Sequence, residues 1–159
     1  MDNRTNASVV LVDDEELAIT SLRALIELEG DLNVKSFTDP LQAAALVKAE
    51  PVDIIVSDYL MPGMNGIQLL AHAKQWQPET SRVLLTGHAD KQSAIAAIND
   101  VGLFQYLEKP WDNAQLMLVI QNGIERTKLL RDLRAKISEL DSAHSSLKNV
   151  QRRLLQAFL

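Results

Sequence analysis

Short apolar runs alternate along most of the chain with segments of helical periodicity. Five runs are too brief for helix cores and suit buried strands. They lie at residues 8–12, 34–37, 53–57, 82–86 and 103–107. A helical stretch follows each run, including those at about residues 65–76 and 90–101. Five strand–helix units in strict alternation predict a parallel sheet with helices on both faces.

Capping and breaking residues mark the helix ends. Asp39 before Pro40 is a helix start, with a capping side chain followed by proline at the first helical position. Pro51 closes that helix, and Gly30 and Gly102 are C-terminal stops for the first and fourth helices. The first helix is predicted to turn five apolar side chains mostly inward: Leu17, Leu22, Leu25, Ile26 and Leu28.

The last part of the chain has a different period. Nine residues follow one another in alternating steps of three and four, which is an a/d heptad seam: Leu130, Leu133, Ile137, Leu140, His144, Leu147, Gln151, Leu154 and Phe158. A helix unbroken from Asn113 would be about 70 Å long at roughly 1.5 Å per residue. Alone it would expose the seam, so a parallel coiled-coil homodimer is predicted. The alternative is a helix packed back on its own domain.

Charge separates the same two parts. Residues 126–159 hold eight Lys or Arg and three Asp or Glu, for a net charge of +5, while residues 1–125 hold eight and eighteen, for −10. We predict a domain at residues 8–125 and a coiled-coil linker at 126–159, after a flexible terminus at 1–7. The basic tail is spotted with leucines, so a solvated helix face is favoured over direct nucleic-acid binding.

The composition removes several classes of function. The chain has no cysteine, so disulfides, thiol catalysis and Cys-ligated metal sites are excluded. The polar first residues do not resemble a signal peptide, and no apolar run approaches the roughly 18 residues that span a bilayer. A cytoplasmic protein without membrane contacts is therefore predicted.

Carboxylates follow two strands that are predicted neighbours. Asp13 and Asp14 come after the first strand and Asp58 after the third. The carboxyl ends of parallel strands share one sheet edge, where ligands of open α/β sheets bind. Clustered carboxylates raise each other's pKa, and a hard divalent cation such as Mg²⁺ (or Mn²⁺) would offset that repulsion.

Thr86 and Lys109 are predicted at the same edge, after the fourth and fifth strands. Asp58 has the chemistry of an aspartyl-phosphate nucleophile. Lys109 and the cation would neutralise phosphoryl oxygens, and the Thr86 hydroxyl would donate to one of them. The edge thus holds the parts needed for phosphoryl transfer.

Four motifs make residues 7–125 resemble the receiver domains of two-component response regulators. They are the acid pair at 13–14, S-D-Y-L-M-P-G at 57–63 running on to Gly66, L-L-T-G at 84–87, and Y-L-E-K-P at 106–110. The resemblance implies a flavodoxin-like fold, doubly wound, with strand order 2-1-3-4-5. It also implies that a sensor histidine kinase donates the phosphoryl group from a phosphohistidine to Asp58.

The same resemblance implies roles for single residues. Asp13, Asp58 and the Leu60 carbonyl would hold Mg²⁺, with Asp14 acting partly through water. Thr86 would move to the phosphoryl group, and Tyr106 would turn inward into the space it leaves. The signal would then pass through the coiled coil to an output domain or protein.

Two other functions fit the sequence less well. An aspartate-nucleophile phosphohydrolase of the haloacid-dehalogenase type needs an acid two residues after the nucleophile, where this chain has Leu60. A DNA-binding regulator would need a helix-turn-helix pattern after Lys109, and none follows.

Because the seam still runs at Leu159, the chain is predicted to be a fragment or to act on a partner. In the family that the chain resembles, such coiled-coil linkers often lead to histidine kinases, cyclic-dinucleotide enzymes or phosphatases. The run at residues 109–112 and the L-L-Q-A-F-L ending also resemble receivers joined to HD-type phosphodiesterases.

Overall fold

A computed structural model describes residues 6–158. Five strands and five α-helices alternate along it: β1 (Ala7–Val12), α1 (Glu16–Glu27), β2 (Leu32–Phe37), α2 (Pro40–Ala49), β3 (Ile54–Asp58), α3 (Gly66–Trp76), β4 (Ser81–Thr86), α4 (Lys91–Ala97), β5 (Gln105–Glu108) and α5 (Asn113–Phe158). Most of the predicted flexible terminus and the last residue, Leu159, lie outside the described part. No helix within that part is both long enough and apolar enough to cross a bilayer.

All five strands are parallel and form one sheet in the order β2-β1-β3-β4-β5. The predicted α/β class and strand order are confirmed. Val12 pairs with Ser57, so the next residues along, Asp13 and Asp58, leave β1 and β3 side by side. Asp58 in turn pairs with Leu85, and Thr86 pairs with Glu108. The register therefore gathers the carboxyl-end residues of four strands at one edge.

Alternate residues of each strand serve two cores, because successive side chains point to opposite faces of a sheet. Val9 and Leu11 face α1 and α5, whose Ile26 and Ile120 are fully buried with them. Val10 belongs to the other face, which packs under α2, α3 and α4. Burial of a large aliphatic side chain contributes about 1.5–3 kcal/mol, so both faces stabilise the sheet.

The predicted side-chain cap is present at the start of α2, and α3 begins with a second kind of cap. The Asp39 carboxylate accepts from the Leu41 backbone N–H at 2.9 Å, with Pro40 in the first turn. At α3, Asn65 and Gln68 form a reciprocal capping box with hydrogen bonds of 2.9 and 3.0 Å.

The predicted inward face of α1 was wrong in part. Leu17 and Leu28 are 85% and 83% exposed, whereas Ile19, Leu22 and Ile26 form the buried stripe. At about 100° per residue, a position five before Leu22 or two after Ile26 falls on the far side of the helix. Spacing within the stripe, and not apolar character alone, decides which leucines are buried.

The fourth helix and fifth strand also differ from prediction. α4 ends at Ala97 and continues as a π-helical segment, Ile98–Gly102, in which Gly102 has a φ of 66°. The Leu103 N–H still bonds the Ile98 carbonyl at 3.3 Å, so Leu103 belongs to the helix end. β5 consequently begins at Gln105, two residues later than the apolar run suggests.

The chain divides into two compact units that meet within α5, after Thr127. The first contains the sheet and the first part of α5. The second, residues 128–158, is helical throughout. The domain boundary at 125/126 stays a prediction.

Candidate functional site

Three carboxylates meet at the carboxyl edge of the sheet. One oxygen from each of Asp13, Asp14 and Asp58 lies within 4.8 Å of the other two. Asp13 is 1% exposed and Asp58 8% exposed, whereas Asp14 is open to solvent. The structure thus brings together the three acids that the sequence placed at two strand ends.

Asp13 is held in an electrostatically unfavourable position. Its Oδ1 accepts from the Glu15 backbone N–H at 2.9 Å, but its Oδ2 is buried and makes no hydrogen bond within residues 6–158. Burial, with the nearby charges of Asp58 and Asp14, raises the pKa of Asp13 above its ordinary value. The Glu15 N–H and Lys109 oppose that rise only in part. A buried oxygen without a hydrogen bond is costly to keep and is a ready ligand for a hard cation.

Lys109 lies against the two buried acids. Its Nζ is 2.8 Å from Asp58 Oδ1 and 3.8 Å from Asp13 Oδ2. Burial alone would lower the pKa of Lys109, but the hydrogen bond and charge of Asp58, followed by Asp13, outweigh it and raise the pKa. The backbone N–H of Lys109 also bonds the Thr86 carbonyl at 2.8 Å, which fixes the end of β5 on β4. Lys109 therefore carries a firm positive charge at the edge.

Thr86 closes β4 with a fully buried side chain. Its hydroxyl makes no hydrogen bond in the part of the chain that the structure describes. Buried hydroxyls are ordinarily paired, so this donor is available to a ligand. Thr86 is the last residue of β4 and follows Leu85, which pairs with Asp58.

The loop after β3 folds tightly back on Asp58. The Gly66 N–H bonds the Tyr59 carbonyl at 2.8 Å, and a Cβ at Gly66 would collide with the Asp58 carbonyl oxygen. Only glycine allows α3 to begin so close to the acid. Leu60 lies in this loop with an exposed side chain, two residues past Asp58.

Tyr106 lies on β5, opposite Leu84, and is partly buried against the core beneath α2, α3 and α4. It shares a surface groove with Lys91, Lys109 and Trp111. Tyr106 thus lies three residues before Lys109, and both residues line this groove.

Sequence reasoning missed an ionic cluster beside the site. His88 Nδ1 lies 2.6 Å from Glu108 Oε1, and Lys91 Nζ lies 3.8 Å from Oε2. The hydrogen bond from His88, and the charges of His88 and Lys91, lower the pKa of the exposed Glu108 carboxyl. The signal for this contact is the strand register: Glu108 pairs with Thr86, and His88 comes two residues after Thr86.

The geometry and a family comparison agree. The sequence family described as the response regulator receiver domain matches residues 9–121 of this chain. The chain belongs to the response-regulator receiver family. The predicted resemblance is confirmed, and with it the flavodoxin-like fold and the role of a phosphorylation-accepting signalling module. The phosphohydrolase alternative is not favoured.

The chain is similar to proteins that come from several contexts. The hydrogenase transcriptional regulatory protein HoxA of Cupriavidus necator is 32% identical over 127 residues, which are 80% of this chain and 26% of that protein. The chain thus spans about a quarter of that relative's length.

Two solved structures extend the range of contexts. The signal receiver domain of an HD domain-containing protein from Pseudomonas fluorescens Pf-5 has a TM-score of 0.74 at 32% identity, covering 80% of this chain and 93% of that one. A structure described as adenylate cyclase from Rhodopirellula baltica has a TM-score of 0.78 at 28% identity, covering 84% and 98%.

Proposed function

We propose that Asp58 of this receiver accepts a phosphoryl group from the phosphohistidine of a sensor histidine kinase, and that a dimeric C-terminal helix transmits the change to an output. One observation carries the proposal: Lys109 Nζ contacts Asp58 at 2.8 Å, beside a buried oxygen of Asp13 that makes no hydrogen bond within residues 6–158. A positive charge at the nucleophile and an unsatisfied acid next to it suit a site that receives a dianionic group and its cation.

In the transfer step, an oxygen of Asp58 attacks phosphorus while the phosphorus–nitrogen bond to the kinase histidine breaks. A phosphorus–oxygen bond forms, and the leaving imidazole nitrogen keeps the electron pair. Lys109 holds Oδ1, which leaves Oδ2 as the attacking atom. Its ammonium and the Thr86 hydroxyl then contact the phosphoryl oxygens. Catalysis of this kind is mainly positioning and charge stabilisation.

The acid cluster fits Mg²⁺, or Mn²⁺ in its place. Hard divalent cations prefer oxygen ligands, and Mg²⁺ takes one or two carboxylates while keeping several waters. Asp13, Asp58 and the Leu60 carbonyl would hold the ion directly, and the exposed Asp14 partly through water. When bound, the ion supplies positive charge that offsets the carboxylates and the incoming phosphoryl oxygens. The unpaired oxygen of Asp13 supports this assignment.

Thr86 and Tyr106 are proposed as the conformational switch. The Thr86 hydroxyl, which has no partner within residues 6–158, would gain one in a phosphoryl oxygen. Tyr106, now half-buried, would turn further inward into the space that Thr86 leaves. The altered surface would lie along the groove formed by β5 and the start of α5.

The output is proposed to lie outside this chain. Residues 8–125 would be the receiver, and 126–159 a dimeric coiled-coil linker that makes no direct contact with nucleic acid or membrane. Relatives and neighbours include a transcriptional regulatory protein and an HD domain-containing protein, so either a DNA-binding regulator or an HD-type phosphodiesterase suits as output. A cytoplasmic location follows from the proposed kinase partner. Beyond the phosphorylation and dephosphorylation of Asp58, no enzymatic activity is assigned to this chain.

Mass spectrometry tests the central step. With Mg²⁺ and a small acyl-phosphate donor, the protein should gain the mass of one phosphoryl group, and Asp58→Asn should gain none. Asp39→Asn is the matched control, because asparagine caps α2 as well as aspartate does; it should be labelled like the parent. Equal labelling of Asp58→Asn would overturn the assignment.

A further inference from the structure

The seam of the second unit is an apolar face without a partner in the described part of the chain. Leu130, at its start, is partly buried, and its other aliphatic members up to residue 154 are between 51% and 69% exposed: Leu133, Ile137, Leu140, Leu147 and Leu154. Val150 and Leu155, which flank the seam, are 52% and 65% exposed. A continuous stripe of this length on one helix calls for a second helix.

We infer that this face pairs with the same face of a second copy, parallel and in register, and that His144 and Gln151 select this arrangement over the antiparallel one. The inference rests on the proposed parallel dimer and adds the residues that select its orientation. Both polar side chains fall at a positions of the heptad, in the centre of the paired surface.

In a parallel, in-register pair, each a residue meets its own counterpart. Gln151 then faces Gln151 of the partner copy, and two amides can exchange an N–H···O hydrogen bond. His144 faces His144 of the partner copy, and a neutral imidazole can donate to the free nitrogen of the other. Each polar side chain therefore buries against a group that can satisfy it.

In an antiparallel pair, a residues face d residues. Along the overlapped seam, His144 would face Leu147 of the partner copy and Gln151 would face Leu140. The two-fold repeat would bury four polar side chains against leucine, without hydrogen bonds. Buried polar groups left unpaired are strongly unfavourable, so the two polar layers penalise this orientation.

The flanking residues are compatible with the parallel choice but do not decide it. In a parallel pair, Lys136 at a g position meets Asp141 at the e position of the partner copy, giving two opposite-charge contacts. Within its own helix Lys136 reaches only Glu139, at 3.6 Å, and both are well exposed. The antiparallel pair would set Asp141 against Lys148, so charge alone leaves both orientations open. The polar layers provide the discrimination.

Because the chain has no cysteine, single cysteines report orientation directly. Leu140→Cys in a parallel dimer lies opposite itself and should oxidise to a disulfide-linked dimer. In the antiparallel dimer the two copies of residue 140 would be about 11 residues apart, or roughly 16 Å along the axis, beyond the reach of a disulfide. Leu133→Cys is a second reporter with the same expectation, should Leu140→Cys weaken pairing.

The opposite arrangement has its own reporter. Mixing Leu140→Cys chains with Gln151→Cys chains should give little mixed disulfide if pairing is parallel, and mostly mixed disulfide if it is antiparallel. Sedimentation of the same samples under reducing conditions reports dimerisation separately. A dimer that yields mainly mixed disulfide overturns the orientation but leaves the proposed dimer standing, whereas a monomer overturns both.

Selection by the polar layers is tested in the Leu140→Cys background. Replacing both layers, His144→Leu with Gln151→Leu, should lower the self-disulfide yield from nearly complete to a mixture, although sedimentation shows a tighter dimer. His144→Asn is the matched control, because it keeps a polar layer, and it should remain parallel. If the double leucine variant stays wholly parallel, the layers do not select the orientation and the inference fails.

Discussion

The two parts of α5 have similar apolar stripes but opposite surroundings. In residues 113–127, Leu116 and Ile120 are fully buried against the sheet. In residues 133–154, the aliphatic seam side chains are more than half exposed. One uninterrupted helix therefore carries both a core-facing stripe and an unpartnered one. A stripe in a sequence indicates that something covers it, but not whether the cover belongs to the same chain.

Polar contacts reinforce the difference where the first part ends. The Thr127 hydroxyl donates to the Asp53 carbonyl at 2.6 Å and accepts from the Ser81 N–H at 3.1 Å. The Ser81 hydroxyl donates to the Gly123 carbonyl at 2.7 Å. The Ser81 and Thr127 side chains are fully buried, so the helix is fixed by satisfied hydrogen bonds as well as by packing.

The largest expected effect comes from deleting one side chain in each part. Ile120→Ala should lower the free energy of unfolding by about 2–5 kcal/mol, because it leaves a cavity in the core. Ile137→Ala should leave receiver unfolding unchanged and weaken only the dimer. Tryptophan fluorescence during urea unfolding follows the receiver selectively, since both tryptophans, Trp76 and Trp111, lie there. Equal losses in the two variants would break the contrast.

Mg²⁺ provides a second way to distinguish the two parts of α5, because its proposed site lies only in the unit that contains residues 113–127. At 100 times its Kd, the ion should stabilise the receiver by about 2.7 kcal/mol, as seen by the same fluorescence. Asp13→Asn should abolish most of that gain. The chain's self-association, followed by sedimentation, should not change with Mg²⁺ in the same range.

The pH dependence of this site has a definite sign. The pKa of Asp13 is raised in the folded protein, so its contribution is most favourable below the ordinary value of 3.8 and is lost as pH rises through the folded pKa. Without Mg²⁺ at neutral pH, Asp13→Asn should therefore be more stable than the parent, on the order of 1 kcal/mol. The gap should close as the solution is acidified. A gap that widens on acidification would contradict the raised pKa.

A further prediction concerns the hydrogen bonds at the end of the first part. Thr127→Val keeps the shape of the side chain but removes the hydroxyl shared by Ser81 and Asp53, and should cost the receiver about 1–3 kcal/mol. Thr127→Ser, which keeps the hydroxyl, is the control and should cost less. Chemical denaturation of the two variants compares them directly. Equal stability of the valine and serine variants would mean that the hydrogen bonds do not anchor the helix.

The sequence predicted most reliably those features that depend on neighbouring residues or on the order of strands and helices. Asp39 and Pro40 start α2 because both act within one turn, and alternation of strands with helices is enough to send Asp13 and Asp58 to one sheet edge. What escaped prediction depends on contacts between distant segments. The contact of His88 with Glu108 depends on the register of β4 and β5, and no nearby residue signals that Thr127 bonds Ser81 across 46 positions. The exposure of Leu17 likewise depends on helix phase, which apolar composition does not reveal. The dimeric seam stays a prediction.

Gly123 gives α5 a built-in weak point. A Cβ there would come within 2.6 Å of the buried Ile54 Cδ1 and 3.3 Å of Ser81 Cβ, so the helix keeps its poorest helix former where it sits closest to the sheet. Alanine at this position would favour an isolated helix by about 1 kcal/mol and yet push the helix off its seat. Contact with the sheet, not intrinsic propensity, holds the 46-residue helix together at this point. If that contact were released, Gly123 would be the position at which α5 bends most easily.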